Sequence, residues 1–315
     1  MEPLKISTAQ FENRSNDKAY NLQMIWELAG RAKSEGAQVI AFHECSITGY
    51  TFARHLSKEA LTEVAEPIPD GESIRELIRI AGEIDIVILA GLFEKTADGG
   101  LYKAYVCVNG QGMIARYRKL HPFINPHLTP GNEYVLFDLF GWKCSILICY
   151  DNNIIENVRA VSLMGADVIF MPHVTMCTPS PRPGAGFVDA GLWKDPQANA
   201  AILRAEFDGP KGREWLMKWL PARAYDNAVY AVFSNPIGMD DGQLKNGCSM
   251  ILDPFGEVIA ECRKLGNDIV VATLTEDKLT QAGGHRYKKA RRPELYGAII
   301  AAPHAAEQKV AWLNK

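Results

Sequence analysis

Two patterns of apolar positions alternate along the chain. Short runs rich in Val and Ile are typical of strands, and apolar residues recurring every three or four positions are typical of helices with one buried face. Strands are predicted at Leu4 to Gln10, Gln38 to His43, Ile84 to Glu94, Ala104 to Asn109, Gly112 to Arg118, Trp142 to Cys149, Asp167 to Pro172, Val229 to Asn235, Gly247 to Asp253 and Asp268 to Thr273. Helices are predicted at Lys18 to Glu35, Glu72 to Gly82, Asn153 to Met164 and Gly212 to Asn227, with a turn near Glu276. This alternation predicts a layered α/β fold.

The second half repeats the alternation of the first, and no Gly-, Ser- or charge-rich linker divides them, so we predict one domain over residues 1–297. Residues 298–315 form a C-terminal tail. Because a basic and then apolar segment begins at Gly284, the tail is expected to dock on a neighbouring subunit, with a solvated basic strip as the alternative. Met176 to Pro210 is long and rich in Pro and Gly, which predicts a segment bordering the functional site.

Charge and composition exclude several classes of protein. The net charge is -3, and Lys and Arg are spread along the chain, so a nucleic-acid partner is not expected. The sequence begins without a basic and apolar leader, and its longest apolar run, Ile84 to Phe93, is far below the roughly 20 residues that span a bilayer. The seven cysteines fit thiols of a reducing compartment, and their spacing lacks metal-binding pairs. We therefore predict a cytoplasmic protein with neither a membrane partner nor a metal.

Three apolar runs each end in a residue that chemistry can use: Glu44, Lys119 and Cys149. Ligands of layered α/β folds collect at the carboxyl ends of strands, so these three side chains can converge. A thiol just before a helix would lie near unpaired N–H groups and the positive end of the helix dipole, which lower a cysteine pKa. Taken singly, each residue has an ordinary explanation, as a buried cysteine or a solvent-facing charge.

Taken together, the three segments resemble the catalytic signatures of the nitrilase superfamily. They are Phe42-His-Glu44 before Ile47-Thr-Gly-Tyr50, Tyr117-Arg-Lys-Leu-His121, and Ile148-Cys-Tyr-Asp151. Further matches are Ala9-Gln10, Thr129-Pro-Gly131, Gly165 to Ile169, Ala222 to Asn227, Asn235-Pro236 and Asp253-Pro254-x-Gly256. The resemblance spans about residues 4 to 297.

The resemblance implies an α-β-β-α sandwich that pairs into a homodimer or a higher homo-oligomer, acts on a small-molecule substrate and needs no metal or organic cofactor. It also implies roles for three residues: Glu44 as general base, Lys119 as the cation at the tetrahedral intermediate, and Cys149 as the nucleophile. The backbone N–H of Tyr150 would help Lys119 to hold the oxyanion. The implied reaction is hydrolysis of a non-peptide carbon–nitrogen bond through a cysteine thioester.

The sequence departs from the family pattern at two places. His43 stands where a Pro usually precedes the catalytic Glu, and packing is a better explanation for it than tuning of the carboxylate. Pro126 and His127 stand where many members carry a second Glu. Either His127 takes part of that role, Glu133 or another acid reaches in, or the fourth residue is dispensable.

The pair Tyr150-Asp151 after the cysteine favours an amide or N-carbamoyl substrate over a nitrile. His173 and Thr175 follow the strand Asp167 to Pro172 and are predicted to line the pocket. Three cations in or beside the long segment are candidates for binding a substrate carboxylate or are simply surface charges: Arg182, Arg204 and Lys211. Two other classes of function stay open, an acyltransferase and a non-catalytic scaffold, and the intact set of Glu, Lys and Cys disfavours the scaffold.

Overall fold

The computed structural model describes residues 1–301. Fourteen strands occur in this range. In chain order they are β1 Leu4–Gln10, β2 Val39–Ala41, β3 Val87–Lys95, β4 Leu101–Asn109, β5 Gly112–Arg118, β6 Leu136–Leu139, β7 Trp142–Ile146, β8 Val168–Pro172, β9 Tyr230–Ser234, β10 Ile237–Asp240, β11 Gln243–Asn246, β12 Met250–Leu252, β13 Val258–Glu261 and β14 Asp268–Leu274.

The same range contains ten α-helices and four short 3-10 helices. The α-helices are α1 Lys18–Ser34, α2 Lys58–Val64, α3 Glu72–Ile84, α4 Ile155–Leu163, α5 Ala200–Asp208, α6 Arg213–Leu216, α7 Leu220–Tyr225, α8 Glu276–Gln281, α9 Gly283–Lys289 and α10 Gly297–Ala301. The 3-10 helices are Thr51–His55, Cys149–Asn152, Ala190–Lys194 and Pro293–Leu295.

The strands form two six-stranded sheets and one hairpin. The first sheet has the order β14-β1-β2-β3-β4-β5, and the second has the order β13-β12-β9-β8-β7-β6. Each sheet has a parallel centre, β1-β2-β3 in the first and β7-β8-β9 in the second, flanked by antiparallel strands. The hairpin β10-β11 stands apart from both sheets, and β11 lines a cavity.

Apolar faces of the two sheets pack against each other, and helices cover their outer faces. Leu4, Val39 and Leu89 of the first sheet share one core with Ile146 and Val232 of the second. A separate core joins the other face of the first sheet to α1 and α3. Helices α4 and α7 contribute buried residues to the core around the second sheet. The four layers form the predicted α-β-β-α sandwich, and every layer stays in place through burial of one apolar face.

Sequence periodicity located most of the sandwich. β1 and β5 match their predicted bounds, and α1, α3 and α4 lie within two residues of theirs. The predicted helix at Gly212 to Asn227 is interrupted and becomes α6 and α7, with Pro221 at the start of α7. Apolar periodicity does not predict strands β6, β10, β11 and β13, each four residues long, or helices α2, α5, α9 and α10.

Most of the predicted tail, residues 302–315, lies outside the described residues. Leu295, Ile299 and Ile300, just before them, are exposed. Docking of the tail on a second subunit, and the homodimer itself, stay predictions. Within residues 1–301, the helices are all too short or too polar to span a bilayer.

Candidate active site

Glu44 follows the end of the short central strand β2 and is almost fully buried. The backbone of this segment is held on β3, because Phe42 donates to the Leu89 carbonyl at 2.9 Å and Ile47 to the Gly91 carbonyl at 3.0 Å. A side chain at Gly91 would meet the backbone nitrogen of Cys45 at 2.5 Å. Glycine at this position therefore allows the chain after Glu44 to lie directly on the sheet.

Lys119 directly follows β5, and its backbone N–H donates to the carbonyl of Lys103 on the neighbouring strand β4 at 2.9 Å. Because the two strands are paired here, the ammonium groups of Lys103 and Lys119 both reach the carboxylate of Glu44. Lys119 Nζ lies 2.8 Å from Glu44 Oε1, and Lys103 Nζ lies 3.2 Å from the same oxygen. Lys103 also lies over the ring of Tyr50, with Nζ 4.0 Å from the ring centroid. The cluster thus contains one carboxylate and two buried cations.

Burial and charge act in opposite directions on these three groups. Burial by itself would raise the pKa of Glu44, but the charges of Lys103 and Lys119 and hydrogen bonds from both lower this pKa to about 2. Burial lowers the pKa of Lys103, a change that the charge of Glu44 only partly offsets. Burial also acts to lower the pKa of Lys119, but the negative charges of Cys149, Glu44 and Asp151 raise it above its usual value. Glu44 is therefore a carboxylate at neutral pH.

Cys149 starts a 3-10 helix after β7, in a sharp turn where its φ of 52° lies in the left-handed region that non-glycine residues rarely adopt. Several hydrogen bonds hold this turn. The amide of Asn152 donates to the carbonyls of Leu147 at 2.6 Å and Cys149 at 3.3 Å. Arg223 of α7 donates to the carbonyls of Asn152 at 2.8 Å and Asn153 at 3.0 Å. A strained backbone that its surroundings hold in place is common at active sites.

The expected lowering of the Cys149 pKa by a helix start is wrong. Helix α4 begins only at Ile155, after the 3-10 helix. Burial raises the pKa of the Cys149 thiol to about 11; the charges of Lys119 and Lys103 and a hydrogen bond from the Val174 backbone act against burial, whereas the Glu44 charge adds to it. The free site therefore pairs a thiol with a carboxylate.

Asp151 joins the nucleophile turn to the segment that carries Lys119. Its buried carboxylate accepts hydrogen bonds from the Tyr117 hydroxyl at 2.8 Å, from the Leu120 backbone at 3.2 Å, and from the backbone N–H of His121 at 2.9 Å, with Nδ1 of His121 also 2.9 Å away. Asp151 thus fixes the end of β5 relative to Cys149.

A cavity of about 620 Å³ reaches the cluster at Cys149. Tyr150 and Thr175 line it, and so do Met176, Arg182 and Phe187 of the long segment that was expected to border the site. Contact of Tyr150 and Thr175 with a substrate stays a prediction. Within residues 1–301, all seven cysteines are free and Cys149 is the one that is not fully buried. The accessible thiol is thus the one that adjoins Glu44 and Lys119.

Two histidines do not lie where the sequence placed them. His173 is buried behind the pocket wall, 3.2 Å from the Asn152 amide and tilted against Phe233, and burial lowers its pKa to about 3. Its neutral ring supports the nucleophile turn and does not line the cavity. His127 is exposed, near Glu59, and Glu133 is also exposed, beside Arg118. Neither His127 nor Glu133 lines the cavity.

His43 packs as expected: it is fully buried, its ring lies 4.7 Å from that of Phe11, and burial lowers its pKa to about 3. Two site residues escaped sequence reasoning. Lys103 lies within a strand, where a lysine normally faces solvent, and Lys245 lies on the missed strand β11. Arg204 and Lys211 are engaged elsewhere, with the Arg263 carbonyl and the Glu206 carboxylate, so Arg182 alone of the three proposed cations lines the cavity.

Comparison with known proteins decides the family. The family model for carbon–nitrogen hydrolases matches residues 5–283, nearly the whole chain. The chain belongs to this family. It is therefore a hydrolase of carbon–nitrogen bonds in small molecules, and the resemblance to the nitrilase superfamily is confirmed.

Relatives of this hydrolase carry several activities. It is 29% identical over 306 residues to an (R)-stereoselective amidase of Pseudomonas sp., covering 95% of this chain and 96% of the relative. It is 28% identical to a nitrilase of Pyrococcus abyssi, covering 86% of this chain and 89% of the relative. It is 25% identical to an N-carbamoylputrescine amidase of Solanum lycopersicum, covering 91% of each chain.

Solved structures agree with the fold. A double mutant of the amidase from Nesterenkonia sp. AN1, in complex with acrylamide, superimposes with a TM-score of 0.68 at 21% identity. The match covers 93% of this chain and 95% of the amidase chain. The α-β-β-α architecture of this hydrolase is therefore shared with nitrilase-superfamily amidases.

Proposed function

We propose that this hydrolase cleaves a carboxamide or an N-carbamoyl group of a small molecule, with Cys149 as nucleophile, Glu44 as general base and Lys119 as the oxyanion partner. One observation carries the proposal. A buried carboxylate, bonded to an ammonium at 2.8 Å, adjoins the accessible cysteine at the end of a cavity. The amidase relatives support the choice of bond.

In the first step the Cys149 sulfur attacks the carbonyl carbon while its proton passes to Glu44. The receiving atom is Oε2, which has no hydrogen-bond partner among residues 1–301, whereas Oε1 is held by both lysines. A pKa of about 11 for the thiol and about 2 for the carboxylate makes this transfer unfavourable by itself. It must therefore accompany the attack, as negative charge moves onto the substrate oxygen beside Lys119.

In the second step the tetrahedral intermediate collapses and the carbon–nitrogen bond breaks. The leaving nitrogen takes the proton from Glu44, and a thioester to Cys149 remains. Glu44 then removes a proton from water, the water oxygen attacks the thioester, and the carbon–sulfur bond breaks as the sulfur regains a proton. Glu44 therefore acts first as base, then as acid, and again as base for the water.

The role proposed for Lys103 is to supply positive charge to the thiol and carboxylate. Its charge lowers the pKa of both Cys149 and Glu44. In Lys103→Met the pKa of Cys149 should rise, so that less thiolate is present at pH 8 and iodoacetamide alkylates Cys149 about 3- to 10-fold more slowly. Glu44 should also gain a higher pKa while staying ionised at neutral pH, because Lys119 remains.

Alkylation at Cys149 is followed by peptide mass spectrometry across pH 7 to 10. A suitable control is Lys143→Met, which removes a partly exposed strand lysine paired with Asp138. If the pH dependence of the alkylation rate in Lys103→Met is the same as in the wild type, Lys103 contributes only packing and not charge to the site.

A nitrile substrate is the second candidate, because a Pyrococcus abyssi relative is a nitrilase. The hypothesis of an amide or N-carbamoyl substrate is favoured by Tyr150-Asp151 after the cysteine and by the amidases among the relatives. An N-carbamoyl compound releases ammonia and carbon dioxide together with an amine, so carbon dioxide identifies that bond. A simple amide and a nitrile both yield a carboxylic acid and ammonia, so these two are separated by which of the matched compounds is turned over.

The test is a panel of matched amides, N-carbamoyl amines and nitriles, with ammonia and carbon dioxide measured in the same reaction. We expect turnover of amides or N-carbamoyl compounds at least about 100-fold above the matched nitriles. Preferential turnover of nitriles would replace the proposal by its alternative. If the whole panel is untouched by an enzyme whose Cys149 still reacts with iodoacetamide, the proposed substrate class is wrong.

A further inference from the structure

A buried lysine that takes no part in the proposed chemistry lines the cavity. Lys245 lies on β11 and is only 2% exposed, yet it belongs to the cavity wall. Its ammonium donates to Gln243 Oε1 at 2.9 Å, which is the one acceptor it bonds within residues 1–301. An ammonium has three protons to donate, and burying one without an anion is costly. Such a group at a cavity wall is suited to binding an anion from the substrate.

The charges around Lys245 are consistent with this role. Burial lowers the pKa of Lys245, and the charge of Asp240 acts against burial, although no carboxylate of residues 1–301 comes within 4.0 Å of the ammonium. The carboxylate of Asp240 is instead occupied by the backbone N–H and the hydroxyl of Thr51. Asp240 thus supports the charged form of Lys245 without neutralising it by contact.

The other charged residues of the cavity wall are also positive. Arg54 and Arg182 also line it, and among its lining residues in the described chain none is Asp or Glu. Arg54 is paired with Asp241 at 3.2 Å, and Arg182 donates to the backbone carbonyls of Pro210 and Lys211. Both arginines are thus engaged by other groups of the protein, whereas Lys245 has no anionic partner among residues 1–301, and the arginines add a positive field around it.

We propose that Lys245 forms an anion subsite that binds a carboxylate at the far end of the substrate, while the scissile carbonyl lies at Cys149. This inference rests on the proposed function and makes the substrate a monoamide of a dicarboxylic acid or an N-carbamoyl amino acid. A substrate ending in an ammonium, such as N-carbamoylputrescine, is disfavoured by the same charges, although three plant relatives are N-carbamoylputrescine amidases.

Binding to Cys149→Ala tests the subsite without turnover. Calorimetric titration compares glutaramate with glutaramide, which has the same length and shape but no charge, and N-carbamoyl-β-alanine with N-carbamoylputrescine. A charge-assisted hydrogen bond in a buried setting predicts that glutaramate binds about 10- to 100-fold more tightly than glutaramide. The anionic carbamoyl compound should exceed the cationic one by at least as much.

A second substitution assigns the preference to Lys245. Adding Lys245→Met to Cys149→Ala should remove most of the ratio between glutaramate and glutaramide, whereas Lys245→Arg should keep most of it. Lys218→Met is the matched control, since Lys218 is exposed and pairs with Glu214 outside the cavity wall. It should leave the ratio unchanged.

Equal affinity for glutaramate and glutaramide in Cys149→Ala itself would overturn the inference, even if a Lys245 variant failed to fold. A preference that persists in Lys245→Met would overturn it as well. If the wild type turns over neutral amides and shows no preference for anionic ones, the anion subsite is wrong and the proposed hydrolase function stands. If anions bind tightly but no amide or carbamoyl compound is turned over, the proposed function is wrong and the anion subsite stands.

Discussion

Cys149→Ala is expected to lose at least about 10⁴-fold in kcat with any amide or N-carbamoyl substrate while keeping its fold. The sulfur is the atom that forms the thioester, so its removal leaves the substrate with no nucleophile on the enzyme. The side chain is small and partly exposed at the cavity, so its loss opens little space in the core. Loss of the thiol should also leave the turn in place, because the side chains of Asn152 and Arg223 hold it through hydrogen bonds to backbone carbonyls.

The measurement is ammonia release at saturating substrate, together with thermal unfolding to show an unchanged Tm. Cys177→Ala is an informative control, since Cys177 follows β8, next to Met176 of the cavity wall, but is fully buried, whereas Cys149 is partly exposed. Retention of more than about a tenth of the wild-type rate by Cys149→Ala would remove the thiol from the mechanism.

The second large effect is expected for Lys119→Met, with a loss of about 10²- to 10³-fold in kcat and a smaller change in KM. The Lys119 ammonium lies 2.8 Å from Glu44. We propose that it stabilises the oxyanion in the tetrahedral intermediate that forms the thioester and in the one that hydrolyses it. An interaction that strengthens only in the transition state changes kcat more than substrate binding. Methionine keeps the length of the side chain, so packing around β5 is largely preserved.

Lys143→Met serves again as the matched strand control, and Lys103→Met separates the two cations. If Lys119→Met and Lys103→Met lose kcat equally, the assignment of the oxyanion to Lys119 fails. If Lys119→Met stays within about threefold of the wild-type kcat, neither proposed step depends on its charge.

Most of the sandwich followed from periodicity because burial of one face of a helix or strand leaves a direct record in the sequence. α1 and α3 show this for helices, and β1 and β5 for strands. The short strands β6, β10, β11 and β13 were missed because four residues hold too few alternations to separate a strand from a loop. Helix α5 was missed because Pro and Gly on either side of it make the whole segment look irregular.

The set of Glu44, Lys119 and Cys149 was predictable because each ends an apolar run, and carboxyl ends of strands from both sheets face one region. Lys103 was not, because it lies inside β4 and ends no apolar run, and an isolated lysine in a strand is normally solvent-facing. Here both faces of β4 are covered, so Lys103 is buried and reaches Glu44. Asp151 contacts Tyr117, Leu120 and His121, which are distant in sequence, and local pattern does not reveal such contacts. Lys245 lies on the missed strand β11.

His173 shows the opposite error. Because it directly follows β8, His173 was predicted to line the pocket. Its side chain instead lies behind the cavity wall and packs against Phe233 and Trp219. A strand end fixes which end of the sheet a residue occupies, but the side of the sheet that its side chain takes depends on the turn that follows.

The most direct test of the account is to look for the acyl-enzyme. Wild type and Lys119→Met are mixed with a slow amide or N-carbamoyl substrate, quenched in acid during turnover, and measured by intact mass and peptide mapping. We expect an added mass equal to the substrate without its leaving amine or ammonia, located on Cys149 and removed by hydroxylamine. Steady turnover with no such adduct, or an adduct located on another residue, would contradict it.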